Sequence, residues 1–83
     1  MSSQKTIHVR YFALLREERG LENETLNTIA ETAGALYGEL QARHRFSVPP
    51  AILRVAVNET FCPWTTVLSN NDSIVFIPPV AGG

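Results

Sequence analysis

A single segment with helical periodicity lies between segments that alternate like strands, and this order constrains the fold more than any other feature. Four apolar residues recur at the spacing of one helix face: Ala33, Leu36, Tyr37 and Leu40. Thr32, just before them, is a suitable N-cap. Because the chain has only 83 residues, it can form one domain with a thin core. One helix packed across a mixed sheet fits both facts, so the predicted class is α+β.

The strands are predicted from alternating side chains and from β-branched and aromatic content. The expected strands are Thr6 to Leu14, Glu24 to Ile29, Ile52 to Val57, a short one opened by Phe61 and stopped by Pro63, and Ser73 to Ile77. Residues 16–20 are predicted to form a turn, and Pro49-Pro50 is expected to end any helix. The sheet therefore has four to five strands crossed by one main helix.

These elements place one domain over residues 1–78, of which 1–5 are predicted to be disordered, followed by a flexible C-terminal tail, 79–83. Apolar residues make up 45% of the chain and charged residues 18%, which is typical of a globular domain. Seven Lys and Arg against eight Asp and Glu argue against nucleic acid as a partner. No apolar run is long enough to span a membrane, and a lone cysteine fits a cytoplasmic protein.

The usual catalytic side chains do not form a recognisable site. His8 and His44 have no cysteine or carboxylate at metal-ligand spacing, so both are interpreted as solvated structural residues and no metal site is predicted. Cys62 stands between Phe61 and Pro63, where a thiol usually packs as a small apolar group. We therefore expect no active site inside the folded body.

The C-terminal segment is the strongest candidate for chemistry. Pro78-Pro79 favours an extended exit from the last strand, after which Val80 to Gly83 can reach about 13–14 Å. Gly82 and Gly83 have no Cβ and can pass through a narrow channel. The Gly83 carboxylate is then an unhindered acid, suited to activation as an acyl-adenylate in another protein's active site. The alternative is an ordinary loose terminus, in which glycine is common.

An apolar outer face of the sheet is expected to bind a partner. If the last strand turns Ile74 and Phe76 to the helix, Val75 and Ile77 face outward. Phe12 and Phe61 are expected on the same side, beside the projecting tail. Such a patch is usually covered by another subunit. The alternative is that the small sheet curls and buries part of this face itself.

Several motifs resemble the sulfur-carrier small subunits of molybdopterin synthase. They are Val9-Arg10-Tyr11-Phe12-Ala13 followed by Arg16-Glu17, Val55-Ala56-Val57-Asn58, and the stretch from Asn71 to the ending Ile77-Pro78-Pro79-Val80-Ala81-Gly82-Gly83. The resemblance covers Thr6 to Gly83 and implies a ubiquitin-like β-grasp fold. Two features depart from the pattern of that family: Pro63-Trp64 after Cys62, and the pair Gly34 and Gly38 in the helix.

The resemblance also implies a function for the tail. A ubiquitin-activating-enzyme-like adenylyltransferase would use ATP to adenylate Gly83, and a sulfur donor protein would convert it to a thiocarboxylate. Pro78, Pro79, Val80 and Ala81 would bind the large synthase subunit, where sulfur passes to cyclic pyranopterin monophosphate. Two small and two large subunits would form the complex. The chain itself would bind no cofactor and would supply the reactive terminus, Gly82-Gly83, without catalytic side chains.

Three other functions use the same features. A double-glycine terminus also serves carriers that deliver sulfur to thiamine synthesis or to tRNA thiolation. It also serves ubiquitin-like modifiers that become attached to lysines of other proteins. A β-grasp binding module with no terminal chemistry is the last alternative.

Overall fold

The structure is a computed structural model that describes residues 4–79. In this range the chain forms five strands, two α-helices and one 3₁₀ helix. In chain order they are β1 (Lys5–Tyr11), α1 (Ala13–Arg19), β2 (Asn23–Thr28), α2 (Ala33–His44), the 3₁₀ helix (Pro50–Ile52), β3 (Arg54–Val57), β4 (Thr60–Cys62) and β5 (Ser73–Ile77). Within the described residues, neither α-helix is long and apolar enough to cross a membrane.

The strands form one mixed sheet in the order β2-β1-β5-β3-β4. β1 and β5 are parallel, and every other neighbouring pair is antiparallel. β5 therefore lies in the middle of the sheet, with hydrogen-bonded neighbours on both sides. The predicted α+β class, a mixed sheet of four to five strands crossed by one main helix, is confirmed.

Helix α2 provides the apolar surface that covers one face of the sheet. It begins where predicted, because the Thr32 hydroxyl accepts a hydrogen bond from the Ala35 amide at 3.1 Å. All four residues predicted for its buried face are buried: Ala33, Leu36, Tyr37 and Leu40. They pack in one cluster with the inward-facing strand residues Ile7, Val9, Tyr11, Val55, Ile74 and Phe76.

Gly34 and Trp64, one residue from each departure from the family pattern, contact each other. The Gly34 amide in the first turn of α2 donates to the Trp64 carbonyl at 2.9 Å. A Cβ on Gly34 would lie 3.2 Å from that same oxygen, closer than most side chains tolerate. The Trp64 ring stacks on Phe76, with 6.1 Å between centroids, and so closes the edge of the core. The glycine therefore lets the loop after β4 approach the helix.

The prediction for the segment after β1 is wrong. The strand stops at Tyr11 instead of Leu14, and residues 16–19, predicted as a turn, belong to α1. Ala, Leu, Arg and Glu are strong helix formers, and here that propensity prevails over the apparent alternation. Gly20 ends the helix with φ 78°, and its amide donates to the Arg16 carbonyl at 2.9 Å. Leu15 is fully buried and anchors the helix on the core.

Other strand boundaries also differ from the predictions: β2 spans Asn23–Thr28 instead of Glu24 to Ile29, and β4 begins at Thr60 instead of Phe61. β3 begins at Arg54, because Pro50, expected to prevent any helix, instead opens the 3₁₀ helix that ends at Ile52. Proline suits the first position of a helical turn, since its φ is already helical and no amide is needed there. β1 begins at Lys5, the last residue of the segment predicted to be disordered.

Candidate functional site

The chain leaves the sheet from the end of its middle strand. β5 ends at Ile77, and Pro78 follows, which has no amide to continue the ladder. Pro78 is buried, whereas Pro79, the last described residue, is exposed. The predicted reactive and binding residues Val80, Ala81, Gly82 and Gly83 lie outside the described residues, so their roles remain predictions from the sequence.

The register of the strands brings the predicted partner-binding residues onto one face. Val75 of β5 lies opposite Ala56 of β3, which in turn lies opposite Phe61 of β4. Paired residues in a sheet point to the same side, so these three side chains share the face that α2 does not cover. Ile77 lies two residues further along β5 on the same side, opposite Arg54.

Phe12 reaches this outer face because its backbone continues the extended conformation of β1, with φ −126° and ψ 152°. Its ring lies 5.3 Å from the Arg10 guanidinium, and Arg10 pairs with Val75. The predicted set Phe12, Phe61, Val75 and Ile77 is therefore brought together. We call these four side chains, with Ala56 beneath them, the outer apolar strip.

The outer apolar strip is only partly covered by its own neighbours. Val75 and Ile77 are half-buried, and Ala56 is 7% exposed. The two phenylalanines keep more surface, with Phe12 37% and Phe61 53% exposed. The curled-sheet alternative thus accounts for the middle of the strip, while both aromatic ends remain accessible.

Two arginines flank the outer apolar strip, and sequence reasoning did not single them out. The Arg10 guanidinium lies over Phe12, and the Arg54 guanidinium lies over Phe61 at 4.3 Å from the ring centroid. Within residues 4–79 neither guanidinium is in a salt bridge or donates a hydrogen bond to a protein acceptor. Alternation along the strands could have found both, since each is two residues from an apolar member of the strip.

A polar cluster that sequence reasoning missed fixes α1 against β2. The Tyr11 hydroxyl donates to the Glu24 carboxylate at 2.7 Å, and Arg19 donates to both oxygens of that carboxylate at 2.9 Å. The Arg19 hydrogen bonds lower the pKa of Glu24, against the opposing effect of burial. Burial raises the pKa of Tyr11 above its ordinary value of 10.0. Because Phe12 links Tyr11 to α1, this cluster helps to hold Phe12 in place.

The side chains judged unsuited to catalysis, His8, His44 and Cys62, are exposed or half-buried and are not members of the outer apolar strip. His8 is exposed, with Nδ1 3.0 Å from the Thr25 hydroxyl oxygen. His44 is half-buried at the end of α2, and burial lowers its pKa. Cys62 is half-buried and packs against the core cluster, with Sγ 3.9 Å from the Val55 carbonyl oxygen. Residues 4–79 contain no group of three or more His, Cys, Asp or Glu that could hold a metal ion.

Comparison with known proteins supports the sequence motifs. Residues 9–83 match the ThiS family. A molybdopterin synthase sulfur carrier subunit from Haemophilus influenzae is 32% identical over 80 residues, and the alignment covers 93% of this chain and 99% of that protein. The similarity therefore extends over nearly the full length of both chains.

Solved structures share the arrangement of sheet and helix. One chain from the complex of subunits 1 and 2 of molybdopterin-converting factor from Helicobacter pylori is 25% identical, with a TM-score of 0.67 over 94% of this chain and 99% of that chain. Ubiquitin from Caldiarchaeum subterraneum, at 18% identity, has a TM-score of 0.64 over 98% of this chain and 100% of that chain. The expected ubiquitin-like β-grasp fold is confirmed. The chain belongs to the ThiS family, and it is related over almost its whole length to molybdopterin synthase sulfur carrier subunits.

Proposed function

We propose that this chain is the sulfur carrier subunit of a molybdopterin synthase and that Gly83 carries the sulfur. The observation that carries the proposal is the 32% identity, over 93% of this chain, to a sulfur carrier subunit of that enzyme. The geometry is consistent with it, because the middle strand ends at Ile77 and the chain becomes exposed at Pro79. The proposal takes Gly83 as the terminal residue.

In the first stage of the proposed cycle, the Gly83 carboxylate attacks ATP in a ubiquitin-activating-enzyme-like adenylyltransferase. Pyrophosphate leaves, and the resulting acyl-adenylate makes the carbonyl carbon reactive. The outer sulfur of a persulfide on a sulfur donor protein then attacks this carbon, and AMP leaves. A thiol reduces the resulting acyl disulfide, so that a thiocarboxylate remains at Gly83 and a disulfide forms between the donor and that thiol. A thiocarboxylate is ionised at neutral pH and is a soft nucleophile. ATP is bound by the activating enzyme, and this chain needs no cofactor of its own.

In the second stage the tail enters the large synthase subunit, and the sulfur passes to cyclic pyranopterin monophosphate. Pro78 and Pro79 direct the tail, while Val80 and Ala81 contact the channel. Gly82 has no side chain and passes the narrowest part. The outer apolar strip docks on the large subunit, which supplies the catalytic side chains. We propose a complex of two small and two large subunits, as the resemblance implies.

The test is the intact mass of the chain after incubation with the activating enzyme, ATP and a sulfur source. We expect the gain of one sulfur-for-oxygen exchange, located at Gly83 by fragmentation. The matched controls are the same mixture without ATP and a variant with one residue added after Gly83, which should both keep their mass. An unchanged wild-type mass, with an activating enzyme that thiolates its own carrier, would contradict the proposal.

The ThiS family match also suits a carrier that supplies sulfur for thiamine or tRNA thiolation. The ending Phe76-Ile77-Pro78-Pro79 favours the molybdopterin type. Rescue of a molybdopterin-deficient strain, but not of a thiamine-requiring strain, would separate these products. The likeness in fold to ubiquitin keeps a protein-modifier function as a further candidate, which requires Gly83 in isopeptide linkage in whole-cell digests.

A further inference from the structure

Within residues 4–79, the charged residues at outward-facing strand positions are both arginines. On this face the strands present Arg10 from β1 and Arg54 from β3, while the carboxylate of Glu24 on β2 bonds Tyr11 and Arg19. The whole chain has a net charge of −1, so this face differs from the molecule as a whole. A local excess of cations beside exposed apolar side chains is suited to a partner surface that carries anions.

The two arginines are held by aromatic rings instead of by carboxylates. Arg54 lies 4.3 Å above Phe61, and Arg10 lies 5.3 Å from Phe12. Stacking on a ring uses the face of the guanidinium and leaves the N–H donors at its edge free. By contrast, the donors of Arg19 are engaged by Glu24, and Arg43 lies 3.5 Å from Glu39. Arg10 and Arg54 thus lie against rings, and no acceptor within residues 4–79 engages their donors.

We propose that Arg10 and Arg54 bind two carboxylates of the large synthase subunit, one on each side of the apolar surface that covers the outer apolar strip. This inference rests on the proposed function, since it takes the large subunit as the occupant of this face. Bidentate guanidinium–carboxylate pairs fix orientation as well as distance. The pairs would therefore set the angle at which the tail enters the large subunit.

The sheet geometry fixes the spacing that these carboxylates need. Arg10 is in register with Val75, and Arg54 is in register with Ile77, on strands separated by β5. Two interstrand steps and two residues along the strand place their Cα atoms about 12 Å apart. The small Ala56 side chain leaves the floor of the strip low between Val75 and Phe61, which allows a flat apolar surface to approach.

The experiment measures binding of the full-length chain to the purified large subunit at low and high salt. At each arginine, a neutral variant is compared with a reversed one: Arg54→Gln with Arg54→Glu, and Arg10→Gln with Arg10→Glu. We expect each neutral variant to raise Kd about 10-fold and to weaken its salt dependence. Each reversed variant should raise Kd further, because a carboxylate then faces a carboxylate. Arg43→Gln is the control, since it removes one charge from α2, on the other side of the sheet.

The outcomes separate this inference from the proposed function. If the wild type binds the large subunit and the neutral and reversed variants bind equally well, no carboxylate faces the arginines and the inference is wrong. The same conclusion follows if the variants lose affinity only for the activating enzyme. If the wild type does not bind the large subunit at all, the proposed function fails, and this inference fails with it. Circular dichroism of each variant checks that it remains folded.

Discussion

Two glycines in helix α2 provide a test of the packing, because they differ in what an added methyl group would meet. A Cβ at Gly38 has nothing within 4 Å, and the residue is exposed without a positive φ. A Cβ at Gly34 would lie 3.2 Å from the Trp64 carbonyl oxygen. Gly38→Ala and Gly34→Ala therefore add the same methyl group in two different environments.

Gly38→Ala should stabilise the protein by about 0.5–1 kcal/mol, because alanine favours the helix interior and restricts the unfolded chain. For a domain of this size that corresponds to a rise in Tm of about 2–8 °C. Gly34→Ala gains no more than this from propensity, and the new methyl group must displace the Trp64 carbonyl. That carbonyl accepts the Gly34 amide at 2.9 Å, so moving it weakens a hydrogen bond worth about 1 kcal/mol. We therefore expect the free energy of unfolding of Gly34→Ala to equal that of the wild type or to be lower.

The measurement is urea and thermal unfolding of both variants beside the wild type, followed by circular dichroism. Trp64 is the only tryptophan, so its emission spectrum reports directly whether the loop has moved in Gly34→Ala. Gly38→Ala should leave that spectrum unchanged. A Gly34→Ala protein that gains as much stability as Gly38→Ala, with an unchanged spectrum, would refute the close approach of α2 and the loop after β4.

Three further predictions concern the cluster, the helix cap and the outer face. The pKa of Glu24 is lowered mainly by its hydrogen bonds from Arg19. The ionised Glu24 carboxylate therefore contributes its full stabilisation at pH values well above the ordinary pKa of 4.5. This stabilisation is lost as the pH falls through the lowered pKa. Urea unfolding should show a steeper loss below pH 4.5 for the wild type than for Glu24→Gln, and equal slopes would contradict this. Thr32→Ala should cost about 1 kcal/mol by removing the N-cap bond; an unchanged Tm would argue against that cap. Ile77→Asp should abolish binding to the large subunit with little change in Tm, because it places a charge in an apolar contact; unimpaired binding would show that Ile77 lies outside the interface.

The parts of the fold set by strong local patterns could be predicted from the sequence. The Thr32 cap, the buried face of α2 and the last strand, Ser73–Ile77, all match, because periodicity and packing agree there. Helix α1 could not be found in the same way, since its buried face is reduced to Leu15 and its register depends on the Tyr11–Glu24–Arg19 cluster. That cluster forms only after β1 and β2 pair, so local sequence carries little signal for it.

The candidate site shows the same division between local and long-range signals. The outward positions of Val75 and Ile77 follow from alternation in one strand, which the sequence shows directly. The position of Arg54 over the Phe61 ring depends instead on the pairing of β3 with β4. Strand pairing between short segments cannot be read from either segment alone. The outward position of each arginine was therefore predictable from alternation, whereas the contact of Arg54 with Phe61 was not.

The topology explains why residues so far apart in sequence meet where the chain leaves the sheet. Since β1 and β5 are parallel, their carboxyl ends, with Phe12 and Ile77, lie at the same edge. Since β3 is antiparallel to β5, its amino end, with Arg54, lies there too. A partner that covers this edge contacts all three segments and the first exposed residue of the exit, Pro79, at once. If the proposed function is right, substitutions on the outer face should therefore lower sulfur transfer even when residues 80–83 are unchanged.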